Sequence, residues 1–167
     1  TGMENSKNLK HLSLGDNGSN LNDEGVAAIV DSFPNLEELV LGGWDQGAEI
    51  SNLSFPYIST LKRLRRLHVP GKKIDDGAFE PLAEMESLEL LSLGGTSVTG
   101  EGIEALDALE NLKELGFWDT RLTDAALEVI AEFDSLQEIN LNQTAVTSEG
   151  VTKLRASRPD LHVRKDS

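Results

Sequence analysis

Apolar residues in this chain recur in two alternating rhythms. Leu91-Ser92-Leu93 alternates apolar and polar positions, the period of a strand with one buried face. Ile103, Leu106 and Leu109 then follow at helical spacing. Thr99 stands between the two as an N-cap candidate, and Glu101 falls in the first turn, where the helix dipole favours an anion. The same succession of strand, loop and helix returns along the chain. Copies beginning at Leu64, Leu88, Leu112 and Leu136 are offset by 24 residues (88 − 64, 112 − 88, 136 − 112). Longer copies begin near Leu9 and Leu36, with offsets of 27 (36 − 9) and 28 (64 − 36). Val163 lies 24 past Ile139 (163 − 139), which predicts a terminal strand near 161–165. A unit this small cannot cover its own apolar face, so its neighbours must. The expected fold is α/β, a single domain over 1–167, with a parallel sheet on one side of the stack and helices on the other.

The copies "LELLSLGGTSVTGEGIEALDALEN", "LKELGFWDTRLTDAALEVIAEFDS" and "LQEINLNQTAVTSEGVTKLRASRP" resemble the leucine-rich-repeat family, whose pattern is L-x-x-L-x-L-x-x-N/C-x-L. The second half looks like the bacterial 24-residue variety. "NLNDEGVAAIVDSFPNLEELVL" in the first half looks more like the ribonuclease-inhibitor variety. The resemblance covers about residues 8–165. It implies a right-handed solenoid, with a curved parallel sheet on the concave side and helices on the convex side. For function it implies partner binding through whatever decorates the repeat, without catalysis. The family's Asn/Cys position holds Asn17, Thr96, Thr120 and Thr144, but Trp44 and Lys72 in the other two copies. A Thr hydroxyl can serve the loop backbone there. Trp44 and Lys72 cannot accept as Asn would, so their loops are expected to differ.

The second copy gains four residues within "GGWDQGAE" and the first gains two of its three within "GDNGSN", both following strands on one rim of the stack. Insertions in solenoids map to one face, often the binding face. Trp118 lies just past its strand on the same rim, where sibling copies place Gly15, Gly42, Pro70, Gly94 and Asn142. Trp44 is three strands away, roughly 15 Å at the usual strand spacing. Pro70, Gly71, Gly94 and Gly95 lie between them as low floor, with Lys72 and Lys73 beside it. Two aromatic posts over such a floor would make a docking groove, since interface hot spots favour Trp, Tyr and Arg. The competing arrangement has Trp44 plugging its own loop and Trp118 lying over Gly94 and Gly95.

The formal net charge is −14. Most acids fall on the predicted helices and their leading turns, Asp23, Asp75, Asp76, Glu80, Glu101 and Asp124 among them, and read as solvated charge on the outer side. On the sheet, the second residues of successive copies run Lys10, Glu37, Arg65, Glu89, Lys113, Gln137, an alternating ladder across neighbouring strands. "KRLRR" at 62–66 is therefore expected to be partly neutralised structure, and nucleic acid is not an expected partner. The third residues (His11, Glu38, Arg66, Leu90, Glu114, Glu138, His162) and the fifth (Ser13, Val40, His68, Ser92, Gly116, Asn140, Arg164) should face the concavity. Glu114, Glu138 and His162 share one column and could hold a divalent metal. The plainer reading has His162 or Arg164 relieving Glu138, and no metal or other cofactor is assigned.

No phosphate loop, EF-hand or Ser-His-Asp constellation emerges from the spacing of the glycines, carboxylates or the histidines His11, His68 and His162. The chain has no cysteine, which fits a reducing, cytoplasmic setting, and no apolar run long enough to enter a membrane. The resulting expectation is a non-enzymatic protein–protein recognition module. Its contact residues would be Trp44, Lys72, Trp118 and Asp119 on the rim and Arg66, His68, Glu114, Glu138 and Asn140 on the sheet. The alternative is a spacer segment of a larger scaffold. No capping helix precedes Leu9, which leads to the expectation of further domains of the same chain on the N-terminal side, or of a first repeat that is frayed or covered by a partner.

Overall fold

The computed structural model describes residues 6–14, 21–42 and 49–166. Seven strands form one open parallel sheet in chain order: β1 (His11–Leu14), β2 (Glu38–Leu41), β3 (Arg66–His68), β4 (Leu90–Ser92), β5 (Glu114–Gly116), β6 (Glu138–Asn140) and β7 (His162–Arg164). Each strand is joined to the next through helical structure on the other side of the stack. The α-helical pieces are α1 (Asp23–Ser32), α2 (Phe55–Ile58), α3 (Phe79–Leu82), α4 (Asp124–Ile130) and α5 (Ser148–Ser157). Tighter 3₁₀ turns span Ser6–Asn8, Asn52–Ser54, Asp76–Ala78 and Ile103–Ala108.

The register follows the repeat period. His11, Glu38, Arg66, Leu90, Glu114, Glu138 and His162 pair successively across the sheet, as do Ser13, Val40, His68, Ser92, Gly116, Asn140 and Arg164. Side chains alternate across a strand, so the residues between those columns turn inward. Leu39, Leu67, Leu91 and Ile139 are fully buried, and so are Leu41, Val69, Leu93, Phe117 and Leu141 one step beyond. Burying each such side chain contributes about 1.5–3 kcal/mol. Leu9, Leu12 and Leu14 of the first repeat are only partly covered.

The helical layer is shorter and tighter than the sequence pattern suggests. The segment carrying Ile103, Leu106 and Leu109 forms a 3₁₀ helix. These three residues recur every third position, the period of a 3₁₀ turn, and all three are buried. α1 instead buries Val26 and Val30, four apart, and is a true α-helix of 10 residues. Thr99 does offer its hydroxyl to the Glu101 N–H, at 3.4 Å, but the helix itself starts later, at Ile103.

Several acids assigned to solvent prove to join repeats. Asp23 Oδ2 accepts from the Ser51 hydroxyl at 2.7 Å, and Asp23 Oδ1 from the Ser51 N–H at 2.9 Å and the Ser54 hydroxyl at 2.5 Å. Asp76 accepts from the Thr99 hydroxyl at 2.6 Å and the N–H groups of Thr99 and Gly100 at 2.9 and 2.8 Å. Asp124 accepts from the Thr147 hydroxyl at 2.6 Å and its N–H at 2.8 Å. Asp75 and Asn52 exchange hydrogen bonds in the same place. The Thr147 hydroxyl works twice, donating to Asp124 and accepting from the Gly150 N–H that opens α5. One short side chain thus caps its own helix and ties it to the previous repeat.

Two arginines near the last repeat satisfy backbone carbonyls. Arg155 donates to the Val163 carbonyl at 2.9 Å, satisfying an edge acceptor. The Arg158 guanidinium, largely buried, donates to the carbonyls of Phe133 and Leu136 at 2.8 and 3.0 Å.

Candidate functional site

The rim beyond β3, β4 and β5 is built by continuing the backbone ladder past the strands. The N–H groups of Val69, Leu93 and Phe117 donate to Ser92, Gly116 and Asn140 carbonyls at 2.9–3.0 Å, and Gly95 N–H donates to the Trp118 carbonyl at 2.8 Å. The loops then turn through left-handed backbone at Gly71, Gly95, Asp119 and Gln143, which stand 24 residues apart in succession. Asp119 and Gln143 adopt φ values of 52° and 56° without being glycine, a conformation Asp tolerates better than most residues. Beneath them Thr96 and Thr120 are buried, and each donates to the carbonyl three residues earlier at 2.7 Å. Thr144 does the same. The hydroxyl substitution for Asn therefore serves the loops as expected.

Phe117 turns inward and meets Phe79 edge-on, with ring centroids 6.3 Å apart. Its neighbour Trp118 must then turn outward. The indole lies across Gly94 and Gly95. A Cβ placed on Gly94 would fall 2.0 Å from Trp118 Nε1, and one on Gly95 would fall 3.6 Å from its far ring edge. Trp118 is thus half-buried as a lid on the glycine pair, the competing arrangement weighed above, and does not stand as a free post. Trp44 lies outside the described residues with the rest of 43–48, as does Asn17 with the rest of 15–20.

The ring leaves one opening. Val40, Gly42, His68, Val69, Pro70, Ser92, Gly94 and Trp118 enclose about 130 Å³ where the sheet face meets the rim. That is close to the ~150 Å³ of a cavity that holds benzene. It is well short of the ~300–1,000 Å³ typical of small-molecule sites. The space is about the size of one side chain. Gly116 keeps the sheet face low beside it, since a Cβ there would meet the Ser92 hydroxyl at 2.9 Å. His68 is half-buried at the wall. Burial pushes its imidazole below the ordinary 6.5; Glu38 and Glu114 pull it back up, while Arg66 adds to the depression.

The other expected contact residues divide. Lys72 reaches across the loop after β4 to Asp119, at 2.9 Å from its carboxylate, so these two rim charges serve each other first. Glu138 is paired with Arg164 at 2.7 Å. The Asn140 side chain accepts from the Asn142 N–H at 3.1 Å. No group of three or more metal-binding side chains with suitable placement occurs among the described residues, and Arg164 occupies the carboxylate that Glu114 and His162 would have shared. Arg66 is exposed and Glu114 half-exposed, on either side of the nearly buried Leu90, and neither makes a direct ion pair among the described residues. The site therefore reduces to His68 and Trp118 at the opening, with Arg66 and Glu114 as flanking charges. Val40 and Ser92 complete its wall; the sequence placed both on this face without singling them out.

The charge ladder at the opposite end of the strands forms in two pairs. Lys10 meets Glu37 at 2.7 Å, and Arg65 meets Glu89 at 2.6 Å. The hydrogen bonds from Lys10 and Arg65 hold the two carboxyls below their ordinary range. Glu37–Arg65 and Glu89–Lys113 act only through longer-range attraction. A polar opening of about 390 Å³ lies there, lined by Glu37, Arg63, Arg65, Ser87, Glu89 and Asn111. Two carboxylates among its cations make it a poor phosphate seat.

The family described as Leucine Rich repeat matches residues 5–30. No curated protein matches the chain by sequence. Among solved structures, an internalin from Listeria monocytogenes aligns with a TM-score of 0.67 at 18% identity, covering 96% of this chain and 48% of its own. A leucine-rich-repeat protein of Leptospira interrogans aligns with a TM-score of 0.56 at 17% identity, covering 94% of this chain and 49% of its own. This chain spans about half the length of either neighbour. No helix among the described residues is long and apolar enough to cross a membrane.

Proposed function

We propose that this chain, which has the fold of leucine-rich-repeat proteins and matches that family's model over residues 5–30, is a non-catalytic recognition module, a single domain that presents the open sheet face and its rim to a protein or peptide partner. One observation carries this reading: the opening between His68 and Trp118 has the size of a single side chain and sits in a frame of continuous backbone hydrogen bonds. Such a frame loses little conformational freedom on binding, so most of the contact energy remains available for affinity. A partner side chain would enter beside the indole. Arg66 and Glu114 would fix its register by charge, and the Lys72–Asp119 pair would hold the rim in place.

The test is a comparison of wild-type chain with a His68→Ala/Trp118→Ala variant as bait, with captured proteins quantified by mass spectrometry and circular dichroism as the check on folding. The expected result is a partner retained by wild type and reduced at least tenfold on the folded variant. An unchanged set of captured proteins contradicts the reading and favours the spacer alternative.

A further inference from the structure

The helix side carries a second surface that the rim site does not use. Leu53 and Tyr57 are exposed large apolar residues, at 71% and 49%. Pro56 is exposed between them. The three share an outward face because Ser54, Phe55 and Ile58 turn inward and are fully buried. Residues three and four apart on a helical turn lie side by side.

The neighbouring repeats do something different at the same places. Phe55 is equivalent to Val26, Phe79 and Ile103, each buried at the head of its helical layer. Counting from these, Leu53 stands where the three copies have Glu24, Gly77 and Glu101, and Pro56 stands where they have Ala27, Glu80 and Glu104. Neither Asn52–Ser54 nor α2 contains a charged residue. α1 on one side carries Glu24 and Asp31, and α3 with the residues after it carries Glu80 and Glu84. Lys62, beyond the end of α2, lies 3.7 Å from Glu84. No ion pair among the described residues takes up Glu24, Asp31 or Glu80. An uncharged apolar step is therefore framed by carboxylates on both sides.

We infer that Leu53, Pro56 and Tyr57 form a docking face for a basic protein segment, one that lays an apolar side chain on the step and places Lys or Arg against Glu24 and Glu80. The apolar contact supplies the anchor, and the flanking charge selects the partner and speeds encounter. A second copy of this chain is a poor occupant, because each copy brings a formal charge of −14. An anionic membrane is disfavoured for the same reason.

A random peptide-display library selected on the whole chain, with counter-selection on a Leu53→Ser/Tyr57→Ser variant, tests this directly. Both substitutions are at exposed positions, and circular dichroism verifies that the variant folds. The expected clones carry Leu, Phe or Trp flanked by Lys or Arg. They bind the double variant at least tenfold more weakly, lose affinity as salt rises, and bind a Trp118→Ala variant as they bind wild type. A Glu24→Gln/Glu80→Gln variant should lose several-fold in affinity and most of the salt dependence. The inference is overturned if no clone distinguishes wild type from the double variant, or if the distinguishing clones are neutral or acidic. It is equally overturned if sedimentation shows a dimer abolished by the double variant, or if phosphatidylserine vesicles bind wild type through this face.

Discussion

The β3/β4 junction and the β4/β5 junction have the same strand register, yet different forces hold them. Between β3 and β4, Asp76 gathers three donors from Thr99 and Gly100 on the helix side. One repeat later the residue equivalent to Asp76 is Gly100, which has no carboxylate to offer Thr123. The layers instead come close. Gly100 has a φ of 94°, and a Cβ on it would fall 2.4 Å from the Ala126 Cβ. On the opposite rim of the same junction Trp118 lies on Gly94 and Gly95. Both junctions share the backbone ladder; beyond it, side-chain hydrogen bonds from Thr99 to Asp76 add to the first, and close contact at bare glycines adds to the second. The contact-held junction also supplies one side of the proposed recognition opening, through Gly94 and the indole that lies on it.

Substitutions sharpen this contrast. Gly100→Ala should have the largest effect. It forces a side chain into left-handed backbone and into α4 at once, at a cost of about 2–4 kcal/mol, measured by urea unfolding. If the loss were under 1 kcal/mol, the junction would not be close-packed. Asp76→Ala should lower stability by about 1–3 kcal/mol in the same assay, since it strips a partly buried carboxylate from three donors. Asp124→Ala should act in the same direction but less, having two such donors from a more exposed residue. Thr120→Val removes the buried hydroxyl from the Phe117 carbonyl and should cost about 1 kcal/mol.

Acid should weaken the other carboxylate-bridged turns of the stack. Burial pushes the Asp23 carboxyl up, but hydrogen bonds from Ser54 and Ser51 hold it below its ordinary 3.8, and the Asn52 and Thr147 side chains lower Asp75 and Asp124. These groups stabilise the fold above pH 3.8, and the stabilisation is lost as pH falls through their lower folded values. His68 gives the smallest step. Its folded pKa lies below 6.5, so the unfolded chain binds the proton first and stability declines as pH falls from above 6.5 through the folded value. Denaturant titrations from pH 7.5 to 5 should show this decline in wild type and not in His68→Gln.

The columns of the sheet were legible because a repeat period converts sequence offset into lateral position. His11 to His162 and Ser13 to Arg164 paired as the offsets required. The contacts between side chains were less legible. Asp76 and Asp124 looked like solvated first-turn acids, because their donors sit 23 residues away on the next turn of the stack. Lys72 passes over a whole strand to reach Asp119, which no nearest-neighbour ladder anticipates. The 3₁₀ form of Ile103–Ala108 was present in the strict spacing of three, but an α-helix tolerates that spacing too over so short a run. The posture of Trp118 depended on Gly94 and Gly95 being bare, a feature of the sequence that equally allowed an open groove.

The seating of Trp118 is the most direct measurement of the account. In a proton NMR spectrum of the folded chain, the indole should show Overhauser contacts to the α-protons of Gly94 and Gly95, with those protons shifted upfield by the ring current. An indole with no contact to either glycine, and glycine shifts at ordinary values, would contradict both the contact-held junction and the opening built upon it.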